Sequence, residues 1–259
     1  MRQTTYVTTS WDDGHPLDLR VAGMLTRYGL RGTFYVPMKA KNDTMMPDQL
    51  RELGSAFEIG AHTLDHVTLT RANDHHAWQQ IVDSKSWLED NTGVPCLMFC
   101  PPQGKYSSRH LEMVRKAGYL GLRGVELASL DCPRPKAGLM LMPTSVQAYP
   151  HDPFAFFKNA IKRAAFGNLW RYIVYGRSSD WPEFAGSLLS GAIEDGGVFH
   201  LWGHSWELQQ TGQWQRLDQV LALMGGIADQ ALVLTNAQIC QSFSRVTSER
   251  VSRSCSGRG

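Results

Sequence analysis

The chain has 259 residues, 42% of them hydrophobic and 19% charged, a composition that excludes a disordered or fibrous protein and suits one with a substantial core. Its formal charge of +2 sits at the end: Ser244 to Gly259 holds Arg245, Arg250, Arg253 and Arg258 against Glu249, a net of +3 that leaves −1 on everything before it. A basic nucleic-acid footprint on the folded body is thereby excluded, and the Ser/Arg/Gly-rich tail, residues 244–259, is expected to be disordered beyond a single domain over residues 1–243.

Thr4 to Trp11, rich in Thr, Val and aromatics, reads as a strand that runs into the turn Asp12-Asp13-Gly14. Pro16 opens a helix whose apolar positions Leu17, Val21, Met24, Leu25 and Tyr28 form one stripe of a 3.6-residue period, ended by Gly29. A strand at Thr33 to Val36, a short helix near Asp48 to Leu53, a strand at Phe57 to Ala61 and a helix from His75 to Asp90 continue the alternation. Strand Leu97 to Cys100, helix Ser108 to Lys116 and strand Tyr119 to Arg123 follow. Residues 124–152 read as a long loop with one short strand around Leu139 to Met142. Helices near Pro153 to Phe166 and Glu183 to Glu194, a strand at Val198 to Trp202, a helix around Trp214 to Met224 and a strand at Ala231 to Leu234 complete the chain. Strands alternating with helices imply parallel pairing through right-handed crossovers. The expected fold is therefore α/β, a single-domain distorted (β/α) barrel of about seven parallel strands, with an open doubly wound sheet as the alternative.

No stretch reaches the roughly 18–20 apolar residues of a membrane span, and the first residues lack a signal-like apolar core. Five cysteines, an odd number, fit reduced thiols, with Cys96 and Cys100 read as buried thiols rather than as half of a zinc site. These features lead to the expectation of a cytoplasmic protein with no transmembrane segment.

In either architecture ligands gather beyond the C-terminal ends of the strands, and four of those ends are polar. Asp12-Asp13 places two carboxylates side by side, which is either a plain turn or a pair that a cation or a shared proton must neutralise. His62 and His66 are four apart, so one helical turn would aim both imidazoles at a single metal. With an aspartate from the neighbouring strand end they make an Asp/His/His set with a position left for water, the layout of a hydrolytic site. Pro101-Pro102-Gln103-Gly104 is a rigid loop, and N–H groups around Gln103 could point at a ligand oxygen. In Gly197 to Trp206, His200, Trp202 and His204 share a strand face, with His204 nearest the site. Trp202 and Trp206 suit the apolar face of a sugar ring, or the core.

The ordered set Ser10-Trp11-Asp12-Asp13-Gly14, His62-Thr63-Leu64-Asp65-His66, Pro101-Pro102-Gln103-Gly104-Lys105-Tyr106 and His200-Leu201-Trp202-Gly203-His204 resembles the successive motifs of the polysaccharide deacetylase family, over roughly residues 4–235. The resemblance implies a hydrolase that removes an acetyl or similar acyl group from the nitrogen of an N-acetylated amino sugar or sugar-lipid, using a divalent metal, zinc by its Asp/His/His ligation. It implies Asp12 as general base, Asp13, His62 and His66 as metal ligands, Gln103 as the backbone oxyanion donor and His204 as general acid. Trp202, Trp206, Tyr106 and Arg123 are the residues expected about the substrate. Two departures stand out. The spacing before His204 is one residue longer than usual, which keeps His200 as a second candidate acid, and Cys100 replaces the arginine that commonly pairs with the base. Arg123, ending a strand, is the expected substitute. The alternatives are a metal-dependent amidase for a non-sugar amide or cyclic imide, and a non-catalytic carbohydrate-binding protein on the same fold.

Overall fold

The structure is a computed structural model, and it describes residues 4–151, 158, 166–175, 180–227 and 229–244. Strand β1 (Thr5–Asp12) leads through α1 (Asp18–Arg27) to β2 (Gly32–Val36), α2 (Pro47–Ala56), β3 (Glu58–Ala61), α3 (Asp74–Thr92), β4 (Met98–Phe99), α4 (Ser108–Lys116) and β5 (Gly121–Arg123). Three short strands follow, β6 (Arg134–Lys136), β7 (Leu139–Met142) and β8 (Val146–Gln147). Then come α5 (Phe166–Tyr175), α6 (Trp181–Asp195), β9 (Gly197–Gly203), α7 (Ser205–Thr211), α8 (Trp214–Gly225), β10 (Leu232–Val233) and a last helix, α9, over residues 236–244.

The strands form one curled sheet in the order β6-β7-β5-β4-β3-β2-β1-β9-β8, with β10 beside the start of β1. All pairings are parallel except β6 with β7. The α/β barrel expectation holds as an open half-barrel, with ten strands where about seven were expected. Eight of the ten fall at strands read individually from the sequence; the other two, β6 and β8, are three and two residues long, too short for a period to show. Helices α5, α7 and α9 were not anticipated, and the expected helix at Pro153 to Phe166 lies almost wholly outside the described residues, as does nearly all of the basic tail.

Side-chain alternation divides the interior in two. Val7, Trp11, Phe34, Val36, Phe99, Leu122, Leu141, Phe199 and Leu201 face outward into a core shared with the helices, where α1 buries Val21, Met24 and Leu25. Each large apolar side chain buried this way contributes about 1.5–3 kcal/mol. Tyr35, Met98, Met140, Met142 and Val198 belong to a second cluster inside the curl, which α9 joins with Ala237, Ile239 and Cys240. Space there is short: a Cβ at Gly60 would lie 2.5 Å from the Tyr35 ring, so β3 passes Tyr35 only as glycine. Polar residues fill the rest of the inner face. Thr8 Oγ1 donates to Asn236 Oδ1 (3.0 Å), and Asn236 Nδ2 donates to the Tyr35 hydroxyl (3.0 Å). By the same alternation Ser10, Asp12, Arg123, His200 and Trp202 point inward, toward the end of the curl where β1, β5 and β9 finish.

Candidate active site

β1 ends in a backbone that turns sharply through left-handed Asp13 (φ 79°) and Gly14 (φ 61°). A Cβ at Gly14 would approach Val36 Cγ1 to 2.6 Å, so the tight turn after the paired aspartates requires glycine. It sends Asp12 back into the curl and Asp13 toward the loop after β3. That loop is not helical, contrary to expectation: Thr63 (φ 60°) and His66 (φ 53°) are both left-handed, and this double kink brings the His62 and His66 rings to 5.0 Å between centroids.

Asp13 Oδ1 lies 3.0 Å from His66 Nε2 and 3.5 Å from His62 Nε2. On the far side of its ring His62 Nδ1 is 2.7 Å from the carbonyl oxygen of Cys100. A carbonyl can only accept, so Nδ1 carries the proton and Nε2 presents a lone pair. A lone pair of His62 therefore faces a buried carboxylate oxygen that has no hydrogen bond of its own. Convergent acceptors of this kind repel one another unless a cation sits among them, and the three donor atoms lie within 4.8 Å of one another. Asp13, His62 and His66 thus fit a divalent metal of the kind that accepts one carboxylate and two imidazoles. Burial works to raise the Asp13 carboxyl, but the imidazoles of His62 and His66 that face it, with His204 nearby, outweigh it and hold the group well below the usual carboxylate range.

Asp12 Oδ1 accepts from Arg123 Nη2 in an ion pair whose side chains are 4% and 0% exposed. Arg123 Nη1 donates to the Gly124 carbonyl (3.0 Å), and its guanidinium carbon lies 5.0 Å from the Tyr35 ring and 4.9 Å from that of Trp202. Burial opposes its charge, yet the Asp12 carboxylate more than compensates and keeps it protonated. Arg123 therefore stands where a substitute for the arginine missing at Cys100 is needed, beside Asp12. Its place among substrate-contacting residues has to be corrected, because a guanidinium with no exposed surface has no face left for a ligand. Trp202 is likewise corrected: its ring lies over Arg123 and is 7% exposed, so it does not offer a sugar platform.

His204 follows β9 directly. Its Nδ1 is 2.6 Å from Glu207 Oε2, and the same carboxylate oxygen accepts from Gln147 Nε2 at 3.0 Å. Burial pushes the His204 imidazole down, but the hydrogen bond to Glu207 and the charges of Asp12, Glu207 and Asp13 carry it up to about 9, so it is protonated at neutral pH. His200 is different. Its Nδ1 donates to the Pro143 carbonyl (2.9 Å), and its Nε2 accepts from the Ser10 hydroxyl (2.8 Å). With both nitrogens engaged, and burial together with Arg123 lowering it to about 3, His200 is a neutral structural group with no proton to give.

Gln103 is left-handed (φ 60°) in the turn after Pro101. The N–H groups of Gly104 and Lys105 are taken by Pro101 and Pro102, whereas that of Gln103 has no partner among the described residues. Tyr106, three residues on, lines a cavity of about 310 Å³ with Leu122, Glu126, Asp131, Arg134 and Arg171. The segment after β5 supplies Gly124, Ser129, Met142 (at the end of β7) and Pro143 to it as well. Trp206 sits apart from that cavity, its indole N–H donating to Asp13 Oδ2 (2.9 Å). Cys96 and Cys100 are buried free thiols. Sequence reasoning missed Glu207, although its position three residues after His204 at the start of a helix was a usable signal. It also missed Tyr35 and the Cys100 carbonyl, whose roles depend on strand register.

Both the sequence and the fold resemble known proteins. A family model described as polysaccharide deacetylase matches residues 2–122, which hold Asp12, Asp13, His62 and His66. A peptidoglycan-N-acetylglucosamine deacetylase of Bacillus cereus is 26% identical over 116 residues, 44% of this chain and 53% of the relative. The matched stretch thus spans about half the length of that curated relative. The fold resembles a Mycobacterium smegmatis crystal structure assigned to the polysaccharide deacetylases, with TM-score 0.66 and 16% identity over 95% of this chain and 92% of the other. It also resembles a peptidoglycan deacetylase of Bacillus subtilis, with TM-score 0.54 and 16% identity over 97% of each chain. The resemblance read from the motifs is thereby shown over residues 2–122, and the fold is shown over nearly the whole chain.

Proposed function

We propose that the protein is a metal-dependent N-deacetylase that releases acetate, or a similar small acid, from an N-acetylated amino sugar. The observation that carries this reading is the set of lone pairs converging from Asp13, His62 and His66, flanked by Asp12 on its guanidinium and a protonated His204. A divalent cation held by those three residues, zinc by the chemistry of the donors, would act as a Lewis acid that lowers the pKa of a coordinated water toward about 7.

The chain supplies the remaining steps. Asp12, fixed by Arg123 through Oδ1, takes a proton from the attacking water on its other oxygen. The free N–H of Gln103 donates to the oxyanion that forms as the acyl carbon becomes tetrahedral. His204 then passes a proton from Nε2 to the departing nitrogen while Glu207 holds Nδ1, a step worth roughly 10²- to 10⁴-fold. The carbon–nitrogen bond breaks, leaving a free amine and a carboxylic acid. The cavity beside Tyr106, polar and large enough for a sugar unit, is the place we assign to the rest of the substrate. We take the location to be cytoplasmic, in keeping with four free cysteines among the described residues, which points to a soluble, nucleotide-linked or lipid-linked amino sugar in glycan biosynthesis.

Metal content of the purified protein, paired with acetate release from N-acetylglucosamine oligomers, tests the proposal. Wild type should carry stoichiometric metal and release acetate, Asp12→Asn should keep the metal and lose turnover, and Asp13→Asn and His62→Ala should lose both. Absence of metal from wild type after growth and reconstitution with zinc would overturn it, and near-normal turnover in Asp12→Asn would remove Asp12 from its role.

A further inference from the structure

Asp13 has two oxygens, and the structure uses them differently. Oδ1 faces both histidines and has no hydrogen bond, while Oδ2 accepts the Trp206 indole N–H at 2.9 Å. The side chain of Asp13 is only 9% exposed, so water contributes little to satisfying Oδ2. An indole has a single donor and no acceptor, which means Trp206 can serve the carboxylate only in this sense. The contact also crosses a long span of sequence: Trp206 lies on α7, two residues after His204, whereas Asp13 lies at the end of β1. Its ring packs 5.4 Å from that of His204, so the indole is held from both sides.

We propose that Trp206 is a positioning residue of the metal site: its N–H occupies Asp13 Oδ2, fixes the carboxylate rotamer and leaves Oδ1 as the single ligating oxygen. This rests on the reading of Asp13, His62 and His66 as metal ligands. The inference assigns to Trp206 a different task from stacking on a sugar, and it makes a distinct prediction. A sugar platform would alter KM and leave metal affinity untouched. A group that orients a ligating carboxylate alters metal affinity itself, and loss of such hydrogen-bonded support costs typically 10–100-fold.

The test is zinc affinity of the full chain, measured by competition with a chromophoric chelator, in wild type and Trp206→Phe, with thermal unfolding of the metal-free proteins alongside. Zinc binding should weaken tenfold or more in Trp206→Phe, while the metal-free melting temperature changes little. A second variant carries 3-benzothienylalanine at position 206, which keeps the fused-ring shape and lacks only the N–H, so that it answers the question even if Trp206→Phe fails to fold. Unchanged zinc affinity in either folded variant overturns the inference and leaves the metal site standing. Failure of wild type to bind zinc overturns the metal reading and this inference with it.

Discussion

Replacing Arg123 by methionine should destabilise the protein severely, and the structure gives the scale. Arg123 and Asp12 form an ion pair with 0% and 4% of their side-chain surface exposed. Methionine fills much of the same volume but removes the cation that pairs with the Asp12 carboxylate inside the curl. Truncating one member of a buried pair leaves an uncompensated charge and costs about 3–5 kcal/mol. In a domain of this size each kcal/mol is worth roughly 2–4 °C of melting temperature, so Arg123→Met should melt about 6–20 °C lower. The double variant Arg123→Met/Asp12→Asn should regain a large part of that loss, because the buried charge is then absent, although it stays inactive. Urea unfolding monitored by circular dichroism on the four proteins of this cycle gives the coupling directly. A loss under about 1 kcal/mol in Arg123→Met, of the size expected for exposed pairs, would refute the argument that the pair is buried and mutually required. So would a double variant as unstable as the sum of the singles.

Two further outcomes depend on protonation. Against burial, Glu207 and the charges of Asp12 and Asp13 raise His204 to about 9, so Glu207→Gln should lower the pKa of the acid and move the alkaline limb of kcat to lower pH. An unchanged limb would remove Glu207 from the acid's support. His200, lowered to about 3 by burial and by Arg123, behaves with the opposite sign. The unfolded chain takes up a proton near pH 6.5 and the folded chain does not, so stability is present above pH 6.5 and is lost as pH falls from there toward 3. The limit of that loss is about 5 kcal/mol. The slope of unfolding free energy between pH 6.5 and 4 should therefore be steeper in wild type than in His200→Gln, and equal slopes would contradict a neutral His200.

The parts of the site that sequence revealed are those carried by short spacing. Asp12-Asp13-Gly14 announced its turn, and His62 and His66 announced a pair, although the loop achieves their approach with left-handed residues and not with the helical turn that the spacing suggested. Arg123 was legible because a charged residue ends a strand otherwise apolar and because Cys100 left a cation unaccounted for. What stayed hidden depends on position along the barrel axis. Period-two alternation correctly puts Trp202 on the inner face, but only the register of β1 with β9, which pairs Ser10 with Trp202, shows that it lies over Arg123 and below the site. The short strands β6 and β8 were unreadable for a related reason: two or three residues carry no period, and their place is set by the neighbours they pair with.

The junction of β9 and α7 gathers more of the chemistry than its length suggests. Within four residues, His204 stands where the proposed reaction draws its proton, Trp206 donates to the carboxylate of Asp13, and Glu207 holds His204. Gln147 on β8 then pins Glu207 from the neighbouring strand. The backbone entering this turn is itself fixed, since a Cβ at Gly203 would stand 3.2 Å from both the Trp11 ring and the Ala148 side chain. Groups held by one rigid turn keep their mutual distances even where the surrounding loops shift, which is what the proposed reaction needs if a proton is to leave His204 as charge develops beside Asp13. The same economy explains why α7 is only seven residues long: its purpose is met in its first turn, and the chain leaves it at Gly212, left-handed at φ 66°, once Leu208 has anchored it to the core.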